Sequence, residues 1–117
     1  MFRNKSKELN RSYKKTLIFH AEIYLREISL HVTRPNNLTF EFHNGNNIVI
    51  SKNYTRIAKS AYSTKIKQKI TVPFQIGFDI RKQRFFSKNL LVYVVNHHQT
   101  FNKKIGEGVI KLSQILN

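Results

Sequence analysis

The side chains able to do chemistry are few and scattered. Five histidines stand at His20, His31, His43, His97 and His98, and no two share the spacing of a helical metal pair. The six acids, Glu8, Glu22, Glu27, Glu41, Asp79 and Glu107, each stand alone in the chain. Paired-carboxylate catalysis or an oxygen-rich calcium site would want a local cluster of them. Gly106-Glu107-Gly108 has the outline of a phosphate loop but lacks both a third glycine and a following Gly-Lys-Ser/Thr. No Gly-x-Ser-x-Gly elbow occurs, and cysteine is absent, which excludes disulfides, thiolate metal sites and a thiol nucleophile. The sequence therefore reads as non-enzymatic, with no metal and no cofactor.

Charge is the strong signal. The 117 residues hold 21 Lys+Arg against 6 Asp+Glu, a formal +15. Ordinary surfaces mix both signs, so a body this small and this basic points to a polyanionic partner. The candidate contacts are Arg3, Lys5, Lys7, Arg11, Lys14 and Lys15 at the start, then the alternating Lys65, Lys67 and Lys69. Arg81, Lys82 and Arg84 follow in a basic connector, and Lys103, Lys104 and Lys111 lie near the end. In an extended segment Lys65, Lys67 and Lys69 would project from one face.

At 40% apolar residues the chain has material for a core and reads as folded. No run approaches the roughly 18 consecutive apolar residues of a membrane span, and no leader pattern opens it. Residues 1–15 read as a basic extension that orders on its partner. Leu17 to Leu25 alternate as a half-buried strand, and Pro35-Asn36-Asn37 is turn chemistry. Leu38, Phe40 and Phe42 alternate into an Asn44-Gly45 hairpin signal, with Ile48–Ile50 returning. Tyr54, Ile57, Ala58, Ala61 and Tyr62 fit a helical face that Ser and Thr weaken. Ile70 to Ile80 alternate strictly, and Pro73 among them demands an edge or a bulge. Leu90–Val95 reads as a strand buried on both faces.

Ile105, Val109, Leu112 and Leu116 fall at i, i+4, i+7 and i+11, which predicts a helix over about 103–116 with Asn102 as N-cap. The expected fold is α+β, with antiparallel or mixed sheets in two small half-domains and a C-terminal helix packed on the second sheet. Residues 16–52 would form a reduced β half-domain and 53–117 an α+β half-domain.

From about residue 54 onward the chain resembles the C-terminal half of the bacterial-type large-subunit ribosomal protein six family. The residues that carry the resemblance are Ile76-Gly77-Phe78-Asp79, the connector Arg81–Arg84, Phe86-Ser87, the strand Leu90–Val95 and the helix entry Asn102-Lys103-Lys104-Ile105-Gly106. Asp79-Ile80 departs from the family's Ser-His, and its basic tail after the helix has no counterpart here. The resemblance implies an architectural protein that binds rRNA and neighbouring ribosomal proteins through its basic residues. Lys (14), Ile (13) and Asn (12) are also the residues of A/T-rich codons. Together these imply the large subunit of a mitochondrial ribosome, in the matrix.

A rival resemblance is to the calcium/phospholipid-binding β-sandwich modules, in a calcium-independent form docking on anionic membranes or a scaffold partner. Leu25-Arg26-Glu27-Ile28, the Asn-Gly hairpin and Ile105-Gly106 with Val109-Ile110-Lys111-Leu112 thread onto that pattern. The missing acids leave only a basic face for anionic lipid. A small-subunit ribosomal protein is a third reading, on His31-Val32 and Asn36-Asn37. The two main readings part at the end of the chain. The ribosomal one predicts a helix over 103–116, the membrane one a strand.

Overall fold

In the computed structural model, residues 13–30, 34–58, 63–98 and 100–117 are described. Arg3, Lys5, Lys7, Arg11 and His31 lie outside them. Among the described residues, eight strands and one short helix follow one another: β1 (Lys14–Ile28), β2 (Asn36–Asn44), β3 (Asn47–Ile50), β4 (Thr55–Ile57), β5 (Thr64–Asp79), β6 (Arg84–Phe85), β7 (Asn89–His97), β8 (Asn102–Lys111) and α1 (Leu112–Leu116). They form two antiparallel sheets, β1-β5-β6 and β3-β2-β7-β8, with β4 added beside β2. The fold is therefore largely β rather than a balance of sheet and helix.

Alternation builds both layers. Ile70, Val72, Phe74 and Ile76 point inward from β5 and are buried, with Phe19, Ala21 and Ile23 of β1 beside them. Phe40 and Phe42 of β2, Leu90 of β7 and Leu112 of α1 meet them from the other layer. This is the ~10 Å sheet-on-sheet packing of a sandwich. Each sheet draws strands from both parts of the chain, since β1 pairs with β5 and β2 with β7. A boundary at 52/53 therefore cuts through both sheets, and 16–52 and 53–117 do not form separate sheets.

Pro73 is accommodated as its chemistry requires. The Asn44 side-chain amide donates to the Pro73 carbonyl at 3.1 Å, so Pro73 turns its backbone groups away from β1. The missing N–H thus lies on the open side of β5 and costs the ladder nothing. The β2–β3 hairpin closes at Asn44 and Asn47 over Gly45-Asn46, with Gly45 at φ +58, the pattern of a II′ turn. Gly45→Val should lower stability by about 1–2 kcal/mol in denaturant titration, because a β-branched residue resists that φ.

Four expectations are corrected. The segment 103–116 is not a helix: Asn102–Lys111 pairs with β7, and only Leu112–Leu116 is helical. The i, i+4 spacing misled because a step of four also preserves strand parity. Ile105 and Val109 share β8's exposed face, and Leu112 and Leu116 turn inward only after the strand ends. Gly106 and Gly108 weigh against a helix, and the edge of β7 offers a ladder instead. The helical face at 54–62 is replaced, within the described residues, by β4, where Thr55 and Ile57 are buried and Arg56 is exposed. Asn36 and Asn37 already belong to β2 rather than to a turn. Leu90–Val95 is not buried on both faces, since Leu91 is exposed.

Candidate anion-binding surface

The basic residues do not spread evenly. Lys14 and Lys15 are not part of a free extension but open β1, paired with Asp79 and Phe78 of β5. That register carries them to the β5–β6 turn, where Arg81, Lys82 and Arg84 sit, and Lys88 follows just beyond β6. Among the described residues, six cations thus gather at one end of the sandwich against a single nearby acid, Asp79.

That acid is committed to the backbone. Asp79 is buried, and its Oδ1 accepts from the Arg81 and Lys82 N–H groups at 3.0 and 3.2 Å. This Asx-type turn holds the connector in shape. The Ile80 N–H donates to the Tyr13 carbonyl at 2.8 Å, tying the turn to the start of β1. The one side-chain contact, Arg81 Nε to Asp79 Oδ1, is long at 4.0 Å. Lys14, Lys15, Lys82 and Arg84 are exposed, and Lys88 is half-buried.

Aromatic rings thread between them. The Arg81 guanidinium lies 4.0 Å from the Tyr13 ring centre, and the Lys14 ammonium lies 5.4 Å from that of Phe86. Phe86 is 43% exposed and is fixed by its N–H, which donates to the Gly77 carbonyl at 2.8 Å. Gly77 makes room for the pair. A Cβ there would stand 2.6 Å from Lys14 Cε and 2.9 Å from Phe86 Cδ2. Gly77→Ala should displace both side chains and cost about 1–2 kcal/mol in thermal unfolding.

The other candidate residues fall elsewhere. Lys67 has φ +53 at a bulge where Ile66 and Lys67 stand opposite Arg26, so Lys65, Lys67 and Lys69 do not keep a strict alternation. Lys69 bonds Glu22 at 3.2 Å, and that carboxylate raises its pKa by hydrogen bond and charge. Lys65 faces Glu27 across the ladder. Arg26, Lys65, Lys67 and Lys69 therefore meet two acids, and this patch is much less positive than the turn end. Lys103 and Lys104 lie in β8 instead of opening a helix, with the Lys104 ammonium 4.0 Å from the Tyr93 ring centre. Lys111 closes β8.

Lys88, Tyr13 and Phe86 are members of the site that sequence reasoning missed. The signal available for them was Phe85-Phe86 inside an otherwise basic connector. Three of the histidines make local contacts: His43 bonds Glu41 at 2.9 Å, the His97 Nε2 and Thr39 Oγ1 lie 2.6 Å apart, and His98 stacks on Phe101. Among the described residues no three His, Asp or Glu side chains converge. Comparison with protein-family models, curated proteins and solved structures finds no match to this chain.

Proposed function

We propose that the chain is a non-enzymatic, calcium-independent β-sandwich module that docks on anionic membrane through its basic turn end. The observation that carries the reading is the strand Asn102–Lys111, where the rRNA reading requires a helix. It supports a sandwich built of two sheets, with a basic end to one side.

Chemistry at that end favours a bilayer. Each exposed Lys or Arg near an anionic surface contributes about 1 kcal/mol, and the five exposed ones at this end suffice for reversible attachment. Phe86 stands among the cations, and Ile18, 67% exposed, lies on the same outer face of β1-β5 as Lys14. An aromatic ring and an aliphatic side chain both gain by entering a headgroup layer. Ile18 offers nothing on which a base could stack. Three of the acids have partners within the chain, Asp79 in the turn, Glu22 at Lys69 and Glu41 at His43.

The same cations could neutralise rRNA phosphates, which keeps the mitochondrial large-subunit reading as the second outcome of the test. Co-sedimentation with phosphatidylserine-containing and phosphatidylcholine-only vesicles decides it. Binding that rises with phosphatidylserine content and falls with salt is expected. Failure to bind either vesicle, together with tight binding to large-subunit rRNA, would transfer the function to the ribosome.

A further inference from the structure

The apolar core is covered beneath β5 and open beneath β1. Inward residues of β5 are buried, while those of β1, from Phe19 to Leu25, remain half-buried. The cause is topological, because β1 is the end strand of its sheet and, among the described residues, pairs only with β5. A groove of about 280 Å³ runs along it, walled by Phe19 and Ile23 of β1 and by Ile110, Ile115 and Leu116. Ile115 there is 72% exposed. A 15-residue edge carrying no proline is a template for another strand.

The backbone says which groups are free. Pro73 turns its N and carbonyl away from β1, so the Pro73–His20 pair is not hydrogen-bonded. His20 therefore also turns its N–H and carbonyl outward. By strand alternation Ile18, Glu22 and Tyr24 do the same. Any added strand must bond to these even-numbered residues.

We propose that a second copy of this chain supplies that strand, with two β1 strands pairing antiparallel about a two-fold axis at Ala21. The register is self-complementary. Ile18 meets Tyr24 and His20 meets Glu22 in hydrogen-bonded pairs, on the outer face. Phe19 meets Ile23 and Leu17 meets Leu25 on the inner face, and Lys15 meets Glu27 near the ends. Centring instead on His20 sets Arg26 against Lys14, and centring on Glu22 sets that acid against itself. Shifting by an odd residue sum pairs inner with outer faces. Of the registers centred on His20, Ala21 and Glu22, only the one at Ala21 avoids these faults, and it joins the two apolar grooves, covering Ile115. Because the axis stands perpendicular to the sheet and the two β1 strands run antiparallel, the outer faces lie on the same side of the dimer and the basic turn ends at its opposite ends.

The test uses the full chain without lipid or nucleic acid. Sedimentation equilibrium should give twice the 13.9 kDa monomer mass at high concentration. His20→Glu, an exposed change that opposes two carboxylates twice, should weaken the dimer at least tenfold, while His20→Lys preserves it. Ala21→Cys should oxidise to a covalent dimer, since the non-hydrogen-bonded Cα separation of about 4.5 Å suits a disulfide. The wild-type chain has no cysteine, so this thiol is unique. A chain that stays monomeric, a dimer indifferent to His20→Glu, or an Ala21→Cys that fails to cross-link would each overturn the proposal.

Discussion

Replacing Arg81, Lys82 and Arg84 together with Glu should abolish vesicle binding, a loss of more than a hundredfold. Losing the attraction of three cations removes about 3 kcal/mol, and about 1.4 kcal/mol is a factor of ten. The three new carboxylates add repulsion to that loss. All three side chains are exposed, and the turn is held by Asp79 and backbone groups, so the fold should survive. Circular dichroism checks that point, and vesicle co-sedimentation measures the loss. Reversing Lys65 and Lys67 is the matched control. That patch already contains Glu22 and Glu27, and the expected fall there is under tenfold. Equal losses from both variants would mean that net charge, rather than the turn end, drives attachment.

Phe42→Ala should be the most damaging single truncation, at about 3–5 kcal/mol. Phe42 is 1% exposed and lies in the cluster shared by both sheets, with Phe40, Phe74 and Leu90. Neighbours in two paired sheets cannot collapse into the cavity without breaking ladders, so little of the lost contact is regained. For a domain of this size such a change is a large part of total stability. Chemical denaturation should show a much lower midpoint or an unfolded chain. A loss under about 1 kcal/mol would contradict the packing described.

Much of this architecture is legible where the period is two and uninterrupted. Leu38, Phe40 and Phe42, the Asn44-Gly45 hairpin and the run from Ile70 announce their strands, because alternation there has no helical counterpart. Pro73 even announces an open edge beside itself. Legibility fails at Ile105–Leu116, where a step of four residues satisfies both periods and the deciding factor is hairpin pairing with the free edge of the preceding strand, β7. It fails also at Thr55–Ile57, a three-residue strand that exists only through pairing with β2. Such short strands take their conformation from the neighbour rather than from propensity.

The site follows the same logic. Arg81, Lys82 and Arg84 are visible as a run, but their union with Lys14 and Lys15 depends on the β1–β5 register, which no local pattern encodes. Lys65, Lys67 and Lys69 look equivalent in the chain, yet the bulge and Glu22 make them a weaker patch. Lys88 and Phe86 join only because β6 folds back beside Gly77.

The most direct measurement of the central claim is density-gradient flotation of the tagged protein from its native cells, at low and high salt. The account predicts that the protein floats with membranes at low salt and is released as salt rises. Travel with the large ribosomal subunit through a moderate salt wash, with nothing in the floating fraction, would contradict it.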